Sequence, residues 1–218
     1  ESIKKIKDVS GRLELIRKFH NEIKVYIDYA HTPDALLKTL KFLKSNYGNN
    51  VSLVFGCGGE RDKKKRPLMA KIANDYCKKI YITDDNPRNE NPKKIRNDLL
   101  KHITRDKVFN IGNRRLAVKK AIQNADPKEI ILVAGKGHEE QQIYKNKLLN
   151  ISDKKIIKKI NVKNKTLDKR EKNYVNNRLI LKNIIGKMKT LNFSGFSIDT
   201  RSIKKNNLFL AIKGKKKN

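Results

Sequence analysis

The sequence restricts function first by what it withholds. Only two cysteines, Cys57 and Cys77, stand in 218 residues, too few and too far apart for a disulfide framework or a zinc site. They fit a reducing compartment, and a cytoplasmic protein is expected. No apolar run approaches the ~20 residues needed to span a bilayer, and no signal-peptide pattern opens the chain, so no membrane is expected among the partners. The spacing Gly-x-x-x-x-Gly-Lys-Ser/Thr occurs nowhere, so a triphosphate must be cradled by other residues than a loop of that kind. No segment is repeated. The chain opens at Glu1 rather than Met and stops in a lysine run; it reads as a piece of a longer protein.

Acidic residues are also scarce, 22 against 53 basic ones, for a net charge of +31. Such an excess suits nucleic acid or an anionic surface. Against that, 41 of the basic residues are Lys and 12 are Arg, and aromatics make up 6% of the chain, whereas phosphate-reading surfaces favour Arg with interleaved aromatics. A solvated surface written by an AT-rich gene accounts for the excess, and no nucleic-acid partner is expected. A basic nucleic-acid-binding module stays as the alternative of a different class. The charge is uneven: residues 1 to 150 hold 33 basic and 18 acidic groups, and residues 151 to 218 hold 20 and 4. The shift coincides with a loss of strand and helix alternation and marks a boundary.

What is present is a run of short β-branched and aromatic segments, Lys24 to Tyr29, Val51 to Phe55, Lys79 to Thr83, Lys107 to Ile111 and Glu129 to Ala134. Each predicts a buried strand. Between them, helical spacing predicts helices over Pro33 to Tyr47, Pro67 to Lys78, Pro92 to Ile103 and Asn113 to Ala125, with Thr32 and Asn91 as caps before a first-turn proline. Ser152 and Asp153 open a further helix through Ile156, Ile157 and Ile160. This alternation predicts an α/β fold, a Rossmann-like, mostly parallel sheet with helices on both faces. Residues 161–173 read as a Lys- and Asn-rich linker. Residues 174–218 read as a short α+β piece, a helix over Tyr174 to Lys189 and then strand, turn, strand, with an ordinary hairpin as the plain alternative.

Three polar clusters begin where strands stop, which is where ligands bind in open α/β sheets. They are Gly56-Cys57-Gly58-Gly59-Glu60-Arg61-Asp62, Thr83-Asp84-Asp85-Asn86-Pro87-Arg88 and Ala134-Gly135-Lys136-Gly137-His138-Glu139. Together they suit a zwitterion: Arg61 and Arg88 for carboxylates, Glu139 for an ammonium, Asn86 for either. Taken singly, each reads as a surface ion pair or turn residue. Asp28-Tyr29-Ala30-His31 ends another strand just before a helix N-terminus, where a nucleotide contact is chemically reasonable; His31 and Thr32 as simple helix caps is the equal alternative.

These clusters, with Gly11-Arg12-Leu13-Glu14, the longer run Asp28 to Leu36 and Lys65-Arg66-Pro67-Leu68-Met69, strongly resemble the C-terminal domain of the MurE family, the UDP-N-acetylmuramoyl-dipeptide:amino-acid ligases, through residues 9 to 160. The resemblance implies an ATP-dependent, magnesium-assisted amide-bond ligase of cytoplasmic peptidoglycan precursor synthesis. Its substrates would be UDP-MurNAc-L-Ala-D-Glu and meso-diaminopimelate, joined through an acyl phosphate. It also implies N-terminal and central ligase domains elsewhere as partners, supplying the phosphate loop, the metal ligands and the catalytic residues, so that this piece alone would be inactive. Arg61, Asn86, Pro87, Arg88, Gly135 and Glu139 would bind meso-diaminopimelate, with Arg88 on a carboxylate as the specificity residue. Arg12, Asp28 and His31 would face ATP. Departures are Glu60 where the family has Asp, Lys64 where Gly is common, and Gln141 in place of an Asp-Tyr step. Related Mur and folylpolyglutamate ligases share the architecture without Asp-Asn-Pro-Arg and Gly-Lys-Gly-His-Glu at this spacing. In the tail, Phe196-Ser197-Ile198-Asp199-Thr200-Arg201 and the run Asn207 to Gly214 are similar to the start of the MurF family. That implies a MurE–MurF fusion in which Asp199, Thr200 and Arg201 lie toward the uridine nucleotide.

Overall fold

The computed structural model describes residues 9–19 and 21–161, with two further short strands at 195–197 and 207–209. The chain divides into two compact units, Glu1–Lys163 and Asn164–Asn218.

The first unit is built on a six-stranded sheet: β1 (Glu14–Lys18), β2 (Lys24–Asp28), β3 (Val51–Phe55), β4 (Lys79–Ile82), β5 (Val108–Asn110) and β6 (Ile130–Ala134). Its spatial order is β1-β2-β6-β3-β4-β5. All neighbours are parallel except β1, which runs antiparallel to β2 at one edge. This is the expected α/β class. Every residue of β3 and β6 is buried, as a parallel strand covered on both faces demands.

The covering helices are α1 (Pro33–Tyr47), α2 (Lys65–Tyr76), α3 (Pro92–Leu100), α4 (Arg114–Gln123) and α5 (Asp153–Lys159). Alternation along the strands sorts the core into two layers. Leu53, Phe55, Ile80, Ile82 and Leu132 pack with α1 to α3; Val25, Ile27, Val54, Ile131 and Val133 pack with α4 and α5. Thr32 caps α1, its hydroxyl accepting from the Ala35 amide at 3.3 Å, and Asn91 caps α3 by accepting from Lys93 at 2.9 Å. α2 starts at Lys65, two residues before the predicted Pro67. Proline is tolerated there because a first-turn N–H has no intrahelical acceptor. α3 stops at Leu100 instead of Ile103, since His102 and Ile103 turn onto the carbonyls of Leu99 and Leu100.

Three strands were not foreseen. β1 carries the pattern Glu-Leu-Ile-Arg-Lys at a half-exposed edge. β7 (Gln141–Tyr144) and β8 (Lys147–Asn150) form an antiparallel hairpin after the last core strand.

Of the second unit, β9 (Gly195–Ser197) and β10 (Asn207–Phe209) pair in parallel, so these two strands are not the hairpin of the plain alternative. The expected linker beyond residue 161, the helix over Tyr174 to Lys189, and Asp199, Thr200 and Arg201 lie outside the described residues.

Candidate functional site

The polar clusters converge because β2, β3, β4 and β6 are parallel neighbours or near neighbours whose carboxyl ends lie on one edge of the sheet. The glycines of 56 to 59 serve mainly to join loops. The Gly59 amide donates to the Asn86 carbonyl at 2.9 Å, and a Cβ on Gly56 or Gly59 would collide with the carbonyls of Thr83 or Pro87. A Cβ on Gly58 would lie 3.1 Å from Arg88 Nη1 and 3.8 Å from Arg61 Cγ, so this glycine sits between the two arginines.

At the centre, Asn86 Nδ2 donates to Glu139 Oε2 at 3.2 Å. Asn86 Oδ1 accepts from the Ile143 amide at 3.1 Å and from Lys136 Nζ at 3.4 Å. Lys136 also donates to Glu139 Oε2 at 3.0 Å and to the Gln141 carbonyl. Its side chain has no exposure, whereas that of Glu139 is one-third exposed. Arg88 has a left-handed backbone, φ +53°, and is fixed by its amide on the Ile143 carbonyl and its own carbonyl under the Lys145 amide. Its Nη1 donates to the carbonyls of Gly59 (2.8 Å) and Asn86 (3.3 Å). Among the described residues nothing accepts from Arg88 Nε or Nη2 or donates to Glu139 Oε1. The cluster therefore presents guanidinium donors beside a carboxylate acceptor, the pattern that pairs with a carboxylate and an ammonium on one small molecule. Gly135 (φ +107°) closes one wall, since a Cβ there would lie 2.8 Å from Asp85 Oδ2. Arg61 is exposed and donates only to the Glu60 carbonyl, at 3.4 Å; it stands beside Arg88 without joining the Asn86 cluster.

A second face lies at the end of β2. Arg12 is over the Tyr29 ring at 4.6 Å. The same ring meets His31 edge-on at 4.7 Å and stacks with His138 at 5.8 Å. His31 is exposed, and its Nδ1 bonds to the Tyr29 carbonyl at 2.9 Å; Thr32, not His31, caps the helix. Asp28 commits both oxygens to backbone amides, Leu13 and Ala30, each at 2.6 Å, so it ties the Gly11–Glu14 turn to the strand end. The arrangement is an exposed aromatic and cationic surface suited to a planar base and anionic groups.

Buried ion pairs stiffen both faces. Arg66, 1% exposed, grips Glu90 through two bonds of 2.8 and 2.7 Å and reaches Asp98 at 3.1 Å. The guanidinium's hydrogen bonds hold the Glu90 carboxyl down at about 2. Arg114 pairs with Asp153, both without exposure, and donates to the Ala134 carbonyl at 3.0 Å; its Nη1 is buried without a partner. Gln142 donates to the backbone carbonyls of Asp84 and Asp85. The Asp84 carboxylate takes the Tyr144 hydroxyl at 2.7 Å and an ion pair with Arg96, so burial and that bond raise the Tyr144 hydroxyl's pKa. Cys57 is buried in the first loop, and burial pushes its thiol up to about 12, which removes it as a nucleophile. Among the described residues no three His, Cys, Asp or Glu side chains converge as metal ligands, and no helix is long and apolar enough to cross a membrane. An open groove of about 630 Å³ borders Arg88, Tyr144, Lys145 and Lys147 but neither Asn86 nor Glu139. The convergence of polar groups, rather than this groove, marks the site.

Lys136, Tyr29 and His138 stood inside the sequence clusters without an assigned role. Arg66 stood in a quoted motif and Asp153 at a helix start, but their pairing with Glu90 and Arg114, like the anchoring by Gln142, gave no signal, because a buried contact between distant residues leaves no local pattern.

Fold and site together define a domain of the doubly wound α/β class, with its polar groups gathered at the carboxyl edge of the sheet, where ligands bind in such folds. The chain belongs to the Mur ligase family: the profile of the Mur ligase glutamate ligase domain matches residues 11–137. A UDP-N-acetylmuramoyl-L-alanyl-D-glutamate--2,6-diaminopimelate ligase from Buchnera aphidicola subsp. Acyrthosiphon pisum is 49% identical over 154 residues, 70% of this chain and 31% of that protein. The ligase of the same name from Prochlorococcus marinus subsp. pastoris is 44% identical over 156 residues, 69% of this chain and 30% of that protein. A solved structure bearing that ligase name superposes with a TM-score of 0.64 at 38% identity, covering 71% of this chain and 32% of that one. The chain thus spans about a third of the length of the relatives it matches.

Proposed function

We propose that residues 1–160 are the amino-acid-recognition domain of a ligase that adds meso-diaminopimelate to UDP-MurNAc-L-Ala-D-Glu in cytoplasmic peptidoglycan precursor synthesis. The observation that carries this reading is the Asn86–Glu139 pair beside the open guanidinium face of Arg88. Glu139 and Asn86 take the ammonium and carboxylate of one end of the diaminopimelate, and Arg88 takes a carboxylate of the other, which lysine lacks. Pro87 and Gly135 shape the walls, and Arg61 adds a second guanidinium at the rim.

The chemistry requires activation, because an amine does not displace oxide from a carboxylate. The D-glutamyl side-chain carboxylate attacks the γ-phosphorus of ATP and releases ADP. The amine of diaminopimelate then attacks the acyl carbon, and phosphate leaves with the former carboxylate oxygen as the amine loses its proton. Here the chain's own part is to hold the amine-bearing substrate. Arg12 and His31, with Tyr29 and His138, would face the nucleotide, while Asp28, expected to face it directly, would act from beneath by holding the Gly11–Glu14 turn. Magnesium, which is ordinarily held by one or two carboxylates together with substrate phosphates, is expected to take its protein ligands mainly from the N-terminal and central ligase domains. Residues 174–218 are proposed as the start of a MurF-like unit with Asp199, Thr200 and Arg201 on its nucleotide side, joined through a linker at 161–173.

Calorimetric titration tests the reading, using the complete natural protein that carries this chain, with UDP-muramoyl dipeptide and a non-hydrolysable ATP analogue present. Diaminopimelate should bind at least about 100-fold tighter than L-lysine, the worth of one charge-assisted bidentate contact or more. Arg88→Lys should erase most of that preference. Equal binding of the two amino acids, or none by a folded protein, would sink it.

A further inference from the structure

We propose that Lys136 is a positioning residue for the amino-acid site, acting through Asn86 and Glu139 without touching the ligand; the proposal rests on the reading of that site given above. An ammonium has three N–H donors, and Lys136 directs one to each of three acceptors: Asn86 Oδ1, Glu139 Oε2 and the Gln141 carbonyl. With its side chain fully buried, Lys136 has no donor left over for a substrate. A lysine is rarely buried completely unless such partners are in place. The backbone is bent for the purpose, since Gly135 and Gly137 on either side both have positive φ, +107° and +52°. A Cβ on Gly137 would lie 2.7 Å from the Gly11 carbonyl and 2.9 Å from Tyr29 Cβ.

The consequence falls on the two neighbours. An asparagine amide can present either its oxygen or its nitrogen to a ligand. Here Oδ1 is taken by Lys136 and by the Ile143 amide, so Nδ2 is the end turned to Glu139. Glu139, one-third exposed, has Oε2 held by two donors and is left with Oε1 as acceptor. Lys136 thereby fixes the order of donor and acceptor along the site. Without it, the Asn86 amide is free to turn over and the Glu139 carboxylate to swing toward water. A purely structural lysine, holding β7 through the Gln141 carbonyl alone, would affect every property of the domain alike. The two roles are separable.

The test uses the complete natural protein in a phosphate-release assay. Lys136→Met should raise the KM for meso-diaminopimelate about 10- to 100-fold, the range found when a ligand-positioning partner is lost at metal sites, while the KM for ATP moves by less than about threefold. Lys136→Arg, which keeps the cation, should recover about tenfold of that loss. In a Glu139→Gln background the Lys136→Met effect should shrink at least about threefold, leaving the part carried through Asn86, because contacting residues couple. Equal shifts in both KM values, or strictly additive effects, would overturn the proposal. If neither Lys136 variant folds, nitrogen NMR of the wild-type chain decides. The Lys136 ammonium should give a slowly exchanging signal that shifts in Glu139→Gln, and a signal indifferent to that change would overturn the proposal. A wild-type protein with no diaminopimelate-dependent turnover defeats the functional reading instead, and leaves the NMR measurement standing on its own.

Discussion

At the scale of single residues, the site depends on backbone shapes that few side chains tolerate. Arg88 holds a left-handed φ of +53°, a conformation uncommon for a non-glycine residue, and the bonds to Ile143 and Lys145 keep it there. Gly135 is more constrained still. Gly135→Ala would set a methyl 2.8 Å from Asp85 Oδ2 at φ +107°, at an expected cost of about 1–3 kcal/mol in stability and a displaced Asp85 beneath Asn86. Chemical denaturation of the variant checks the first part, and weakened diaminopimelate binding the second. Glu90 sets a pH dependence. Its ordinary value is 4.5, and the hydrogen bonds from Arg66 lower it to about 2 in the folded chain. The native state therefore binds fewer protons than the unfolded one between those values. Glu90 contributes stability above about pH 4.5 that is lost as pH falls toward 2. Thermal melts across that window should fall more steeply for the wild type than for Glu90→Gln.

At the scale of elements, Arg114 at the start of α4 and Asp153 at the start of α5 clamp two helices to the end of β6. Asp153→Ala leaves a guanidinium buried and unpaired and should cost about 3–5 kcal/mol, whereas Arg114→Met with Asp153→Leu should cost markedly less. Urea denaturation of the single and double variants measures the difference. This clamp also shows which parts of the molecule the sequence displays. Val51 to Phe55 and Ile130 to Ala134 could be read as strands because burial on both faces makes them apolar throughout. The helices opening at Thr32-Pro33 and Asn91-Pro92 showed their caps. β1 escaped because this half-exposed edge strand, Glu-Leu-Ile-Arg-Lys, holds only two adjacent apolar residues and no clean alternation, and the β7–β8 hairpin because Leu148 and Leu149 remain exposed and its anchor is the polar Gln142. The site clusters were legible because strand ends are. That Lys136 turns inward was not, since lysine is ordinarily solvated and only the left-handed glycines beside it make burial possible.

At the scale of the whole molecule, the net charge of +31 acts as self-repulsion spread over the surface. Salt screens exposed charges over a Debye length of about 8–10 Å and leaves enclosed pairs such as Arg114–Asp153 nearly untouched. Repulsion therefore loses more than attraction does. The melting midpoint of the chain should rise by about 2–4 °C, or about 1 kcal/mol, between low and physiological salt; a midpoint that falls would mean that surface ion pairs dominate. The same screening bears on the nucleic-acid alternative. A phosphate-binding module holds duplex DNA at physiological salt with a steep salt slope, whereas a merely solvated lysine surface releases it.

The strand order carries a consequence for the birth of the protein. β6 lies between β2 and β3, yet it is the last of the six sheet strands to leave the ribosome. Until residue 134 has emerged, β2 and β3 cannot lie side by side without occupying its slot, and the first 129 residues hold two half-sheets with open inner edges. The loop Gly135 to Glu139 follows immediately, and after it β7, whose Gln141 and Ile143 hold Lys136, Asn86 and Arg88. Closure of the sheet and assembly of the polar cluster at its edge are therefore both late events in the nascent chain, separated by about ten residues of synthesis.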